Sequence, residues 1–108
     1  QGGRDRRRKS PVGKIIHVNA GHALSLQYHN VKTETVYLAS GRVRYEIGDT
    51  VSRRVVDLLP GDRLHIPAGT VHRVTALEDA DIFEVSTPEI DDVVRLEDVY
   101  GREGTSKP

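Results

Sequence analysis

Three observations predict an all-β fold, a small sandwich or closed barrel. Eight short runs of β-type residues follow one another from Lys14 onward. Almost every run stops at a turn residue such as Gly, Pro, Asn or Asp. No segment before residue 89 carries a convincing 3.6-residue apolar period. Closing the sheet removes exposed strand edges, which a small chain needs. At 108 residues the chain fits one domain with one packed core.

Residues 1–12 contain Gly, Arg, Lys and Pro without a period and read as a flexible basic arm. The barrel is expected over residues 13–88. Its runs are KIIHVN, ending at Ala20-Gly21, then ALSLQYH, followed by Asn30-Val31-Lys32. TETVYLA stops at Ser40-Gly41, RVRYEI at Gly48-Asp49 and SRRVVDLL at Pro60-Gly61. DRLHIPAG stops at Gly69, VHRVTAL at the following EDA, and DIFEVST at Pro88. The stretch Gly21–Gly41 reads as a β-hairpin. Residues 89–108 form a closing segment and tail, in which Ile90, Val93, Val94 and Leu96 suit one face of a short helix or turn over the barrel mouth.

Composition narrows the chemistry. Hydrophobic residues make up 36% and charged residues 30%, a globular rather than disordered balance. No apolar run approaches the roughly 20 residues of a membrane span, and no apolar signal segment is present, so a cytoplasmic location is expected. Cysteine is absent, which excludes disulfides, thiolate zinc sites and cysteine nucleophiles. Any metal must be held by nitrogen and oxygen. Net charge is zero, and the basic cluster Arg4–Ser10 has no aromatic residues to stack on bases, so nucleic acid is not an expected partner.

Side chains two apart on a strand share a face. Gln27 and His29 therefore point the same way. Glu34 shares parity with Val36 and Leu38, and His72 with Val74 and Ala76, so both face inward. Two imidazoles, a carboxylate and an amide oxygen suit zinc, manganese, iron, nickel or cobalt. Parity alone leaves two readings open: ordinary half-buried polar residues, or four ligands. Of the other histidines, His65 alternates with Leu64 and Ile66 and faces outward, while His22 sits in a turn. Tyr28, Tyr37 and Tyr45 read as packing residues, and Arg42 and Arg44 as a solvated face.

The full spacing is more specific. Five residues separate Gly21 from Gln27-x-His29, four lead to Glu34 and six to Gly41. In a second block, five residues separate Gly61 from Pro67-x-Gly69, and two lead to His72. This pattern resembles the two motifs of the cupin superfamily, with Gln27 where most cupins place a first His and Ala76 where the second motif ends in Asn. The run LSLQYHN with Glu34 is similar to the cupin half of type II phosphomannose isomerases. The stretch Asp91–Arg102, DDVVRLEDVYGR, is similar to their closing segment.

The resemblance implies a double-stranded β-helix (jelly-roll) barrel and one divalent ion held by Gln27, His29, Glu34 and His72. It makes Arg95 and Arg102 candidates for catalytic contact with substrate, with Arg73 a further cation at the mouth. The implied activity is aldose–ketose isomerisation of a sugar or sugar phosphate, the ion acting as a Lewis acid on the oxygens at C1 and C2. No residue stands out as the base. Two other functions suit such a barrel: a metal enzyme of dioxygenase or cyclase type, and a non-catalytic small-molecule binder. A homodimer is expected, paired through the edge strand KIIHV.

Overall fold

A computed structural model describes residues 10–88, 92–97 and 104–105. These residues form only β-strands, turns and loops. The strands are β1 (Val12–Val18), β2 (Leu26–Tyr28), β3 (Glu34–Ser40), β4 (Val43–Gly48), β5 (Arg53–Leu58), β6 (Arg63–Ile66), β7 (Val71–Ala76), β8 (Ala80–Ser86), β9 (Val94–Glu97) and β10 (Gly104–Thr105). They build two antiparallel sheets, one of order β1-β8-β3-β6 and one of order β10-β9-β2-β7-β4-β5. All eight expected runs appear as strands, and two more follow.

Alternation sets the interior. In β3, Glu34, Val36 and Leu38 are buried between half-buried Thr35 and Tyr37. In β8, Ala80, Ile82, Glu84 and Ser86 are buried while Phe83 is 41% exposed. Val36, Leu38, Val43, Ile66, Val74 and Ile82 form the centre of the apolar cluster. Each such side chain contributes about 1.5–3 kcal/mol by leaving water. The polar layer lies at one end of this core. Glu34 opens β3 and pairs with Ser86 at the close of β8, whereas Leu38 and Ile82 pair four residues further along the ladder. His72 likewise precedes Val74 and Ala76 on β7.

Two motif glycines have a conformational reason. Gly41 has φ of 86°, and a Cβ there would lie 2.1 Å from the Asp79 carbonyl oxygen. Gly69 has φ of 84° and donates its N–H to the His29 carbonyl at 2.7 Å, which fastens the Pro67-x-Gly69 turn beside a predicted ligand. Other residues rarely adopt these angles.

Three expectations need correction. The stretch 21–41 is not a hairpin. β2 pairs with β7 and β9, β3 pairs with β6 and β8, and residues 29–33 cross between the sheets. A hairpin would bond these linking residues locally. Here the carboxylate of Asp92 accepts the N–H groups of Asn30, Val31 and Lys32 instead. The expected helix or turn after residue 89 is a strand at Val94–Glu97, laid against β2 as a further member of its sheet. Finally, β1 begins at Val12, inside the stretch assigned to the arm, because pairing with β8 extends to Val12–Ser86. Residues 1–9 of that arm lie outside the described residues.

Candidate metal centre

His72 on β7 sits directly across from Gln27 on β2, and Gln27 is flanked on its other side by Arg95 of β9. His29 follows β2 by one residue, and Glu34 reaches in from the other sheet. The structure thus gathers the predicted set from both sheets around one cavity of about 370 Å³, which all four residues line with Arg95. That volume lies within the roughly 300–1,000 Å³ range of small-molecule pockets.

Glu34 joins the two histidines. Its Oε2 lies 3.3 Å from His29 Nε2 and its Oε1 lies 3.4 Å from His72 Nε2. The ligand atoms all fall within 4.8 Å of one another. The three residues are 3–5% exposed, yet neither Nε2 has a hydrogen-bond partner. Donors about 2.0–2.2 Å from one ion lie about 3.3–3.6 Å apart along a tetrahedral edge, so the two carboxylate–imidazole spacings fit a shared cation. The other ring nitrogens are already used. His72 Nδ1 donates to the Thr70 carbonyl at 2.9 Å, and His29 Nδ1 to the Asp92 carbonyl. When neutral, both rings therefore present a free Nε2 lone pair inward. Such outer bonds fix the tautomer of ligating histidines. By its donor chemistry and its orphaned buried nitrogens, the set fits a borderline divalent ion.

The electrostatics agree. Burial would raise the Glu34 pKa, but the two imidazoles against it, at 3.3 and 3.4 Å, outweigh it and hold the carboxyl well below the usual range. Burial would lower the His29 pKa, but the Glu34 carboxylate and the Asp92 carbonyl raise it overall. Protonated, the His29 ring is attracted to the Glu34 carboxylate; neutral, it turns its Nε2 lone pair to the cavity.

Gln27 is half-buried, and its Oε1 accepts from Ser25 Oγ at 3.3 Å. Arg95 Nε is buried without a hydrogen-bond partner among the described residues. Arg73 also lines the cavity, but its guanidinium is tied to the Leu24 and Glu97 carbonyls and the Glu97 carboxylate. Arg102 lies outside the described residues. His65 is exposed and bonded to Thr35, as its parity predicts.

Sequence reasoning missed Glu84 and Lys32. Both are 7% exposed and line the cavity. Burial and then the charge of Glu34 raise the Glu84 pKa, opposed by Lys14 and Lys32. The available signal was its parity with Ile82, but DIFEVS carries apolar residues on both parities, so alternation does not reveal which face is inside.

The comparisons with known proteins agree with this fold. The cupin domain family matches residues 14–86. The xanthan biosynthesis protein XanB of Xanthomonas campestris pv. campestris (strain B100) is 35% identical over 94 residues, covering 82% of this chain and 19% of that protein. The alginate biosynthesis protein AlgA of Pseudomonas putida is 34% identical over 97 residues, covering 85% of this chain and 19% of that protein. The chain thus spans about a fifth of the length of these curated relatives. Among solved structures, the sugar 3,4-ketoisomerase QdtA of Thermoanaerobacterium thermosaccharolyticum, in complex with TDP, superposes with a TM-score of 0.70 at 11% identity. That match covers 78% of this chain and 65% of QdtA, and at this identity it shows a shared fold.

Proposed function

Since the chain belongs to the cupin family, we propose that it is a metal-dependent sugar-phosphate isomerase of the aldose–ketose type, acting in the cytoplasm. The observation that carries this reading is the buried His29–Glu34–His72 set, with both Nε2 atoms unpartnered, facing a cavity that also holds Arg95 and a second carboxyl. The resemblance to type II phosphomannose isomerases and the relationship to two polysaccharide-biosynthesis proteins support the substrate class.

Gln27, His29, Glu34 and His72 would hold the ion, whose contribution when bound is Lewis acidity toward the oxygens at C1 and C2. Arg95 holds the phosphate by parallel N–H···O bonds, as a guanidinium does best. Among the described lining residues, Glu84 is the one carboxyl outside the ligand set. By position it is assigned the transfer of the proton between C2 and C1. Ile16, Leu24, Tyr45, Val74, Ile82 and Val93 form the apolar part of the wall and limit water at the reacting carbons.

The test is interconversion of mannose 6-phosphate and fructose 6-phosphate by protein loaded separately with zinc, manganese, iron(II), nickel or cobalt. Turnover with at least one ion, lost on chelation and in Glu84→Gln while metal content holds, is expected. No turnover with any ion, or oxygen uptake instead, overturns the reading.

The same reading includes a homodimer paired through β1. This strand is an edge of its sheet among the described residues, and Ile15 is 71% exposed opposite Phe83. Phe83 in turn packs at 6.3 Å from Tyr37, so an apolar strip crosses the outer face. Light scattering should give twice the 12.0 kDa chain mass, reverting to one chain in Ile15→Lys. A mass of one chain at all concentrations refutes the dimer.

A further inference from the structure

The two histidines of the centre are steadied in different ways. His72 is held locally, by the carbonyl of Thr70 two residues away on its own turn. His29 is held by the carbonyl of Asp92, which is 63 residues away. A carbonyl only accepts, so this bond requires the proton on His29 Nδ1 and, in the neutral ring, leaves Nε2 as the lone pair facing the cavity.

The side chain of Asp92 acts on the same place. Its carboxylate accepts the N–H of Asn30 at 2.9 Å, of Val31 at 2.6 Å and of Lys32 at 2.8 Å. These three residues directly follow His29, where the chain leaves one sheet for the other and no ladder partner exists for them. Three N–H donors converging on one carboxylate favour its charged form, so the clamp is a carboxylate holding three successive amides. Beyond Asp92 the chain stays on the ligand strand: Val94 pairs with Tyr28 and Arg95 with Gln27. One residue therefore fixes the ring of a ligand with its carbonyl and the loop carrying that ligand with its side chain.

We propose that Asp92 is a positioning residue: by clamping residues 30–32 it keeps its own carbonyl on His29 Nδ1, and so sets the tautomer and aim of His29 from outside the barrel. The consequence for metal affinity rests on the metal reading above; the tautomer does not. Outer partners of ligating histidines typically change metal affinity by about 10- to 100-fold when lost.

The experiment compares full-length apo protein with Asp92→Ala and with the isosteric Asp92→Asn, which keeps one acceptor oxygen. Imidazole nitrogen–proton correlation spectra are recorded at about pH 9, where free imidazole is neutral. Wild type should show His29 as a single Nδ1–H tautomer. Asp92→Ala should show a mixture or the Nε2–H form, with the His72 pattern unchanged and Asp92→Asn between the two. Zinc affinity, measured by chelator competition, should fall about 10- to 100-fold in Asp92→Ala and less in Asp92→Asn. If Asp92→Ala fails to fold, Asp92→Asn gives both readouts. An unchanged His29 tautomer in the folded variant overturns the inference, as does unchanged zinc affinity beside a wild type that binds. A wild type that takes up no zinc refutes the metal reading instead, and the tautomer comparison then decides the inference alone.

Discussion

The barrel carries a histidine–carboxylate cluster near each end, and the two are built in opposite ways. At the end where β3 starts, His29 and His72 face Glu34 at 3.3 and 3.4 Å with side chains 4–6% exposed. At the other end, where β3 closes, His17 meets Asp81 at 2.7 Å with side chains 54% and 45% exposed. The shorter contact belongs to the surface pair. There both ring nitrogens of His17 are satisfied, by Asp81 and Asn19, and Ser40 completes the Asp81 carboxylate. In the buried cluster both Nε2 atoms are left without hydrogen bonds. With the rings neutral, leaving buried polar atoms unpaired costs roughly 1–3 kcal/mol each, so the cavity end then gives up stability that the surface end does not. The difference marks a site: closeness of imidazole and carboxylate does not, but buried imidazole lone pairs aimed into a cavity do.

The largest expected effect tests that contrast directly. His29→Ala and His72→Ala should each weaken zinc binding more than 100-fold, beyond the roughly 10- to 100-fold that outer partners alone produce. His17→Ala should leave metal content unchanged. Stoichiometric metal in a His29→Ala/His72→Ala double variant, measured by elemental analysis, would place the ion elsewhere.

The next effect is a pH dependence of opposite sign in the apo and loaded protein. His29 has a folded pKa raised above 6.5. Its charged interaction with Glu34 stabilises the apo fold fully below the unfolded value and is lost as pH rises through the folded one. The lowered Glu34 pKa adds stability that is present above the unfolded carboxylate value and lost as pH falls through the folded one. Metal requires neutral imidazole, so affinity should start to fall as pH drops while still above 6.5. Melting curves from about pH 5 to about pH 9 should then show apo stability declining, and metal-induced stabilisation growing, across neutrality. Parallel curves with and without zinc would separate the histidines from the metal.

A smaller effect is expected at Gln27. Its amide oxygen is a neutral donor weaker than imidazole. Gln27→His should keep the fold and the ion while shifting relative affinity by about tenfold toward ions that favour nitrogen. Competition between zinc and manganese measures it, and an unchanged preference removes Gln27 from the ligand set.

The strands were legible because their signals are local: alternation over a few residues, with glycine or proline at each stop. The inward placement of Glu34 and His72 was legible for the same reason, since parity alone turns both toward the interior. Pairing is not local. Nothing between Gln27 and Glu34 reveals that the link crosses from one sheet to the other, because the acceptor for its N–H groups is Asp92, some sixty residues on. β9 carries a period of two, Val94 and Leu96 alternating with Arg95 and Glu97, but four residues are too few to separate that from a helical turn. Glu84 stayed hidden because Phe83, the apolar neighbour that makes its strand ambiguous, is the residue left partly exposed.

The smallest effect lies at the surface pair and completes the comparison. The His17 pKa is raised chiefly by its hydrogen bond to Asp81, and the Asp81 pKa is lowered chiefly by the same bond. Between those two values both groups are charged. The stabilisation disappears as pH rises through the raised histidine value, and again as pH falls through the lowered aspartate value. Both side chains are close to half exposed, so water and salt screen the pair, and exposed pairs contribute little. Asp81→Asn should therefore move the His17 titration, followed by imidazole proton shifts, back down toward 6.5. It should change the melting temperature only slightly, less in high salt, and leave zinc affinity at the wild-type value. Glu34→Gln should do the reverse, leaving His17 unmoved while zinc binding collapses. If Asp81→Asn lowers zinc affinity, the two ends are coupled through β3 and β8, and burial ceases to be what distinguishes them.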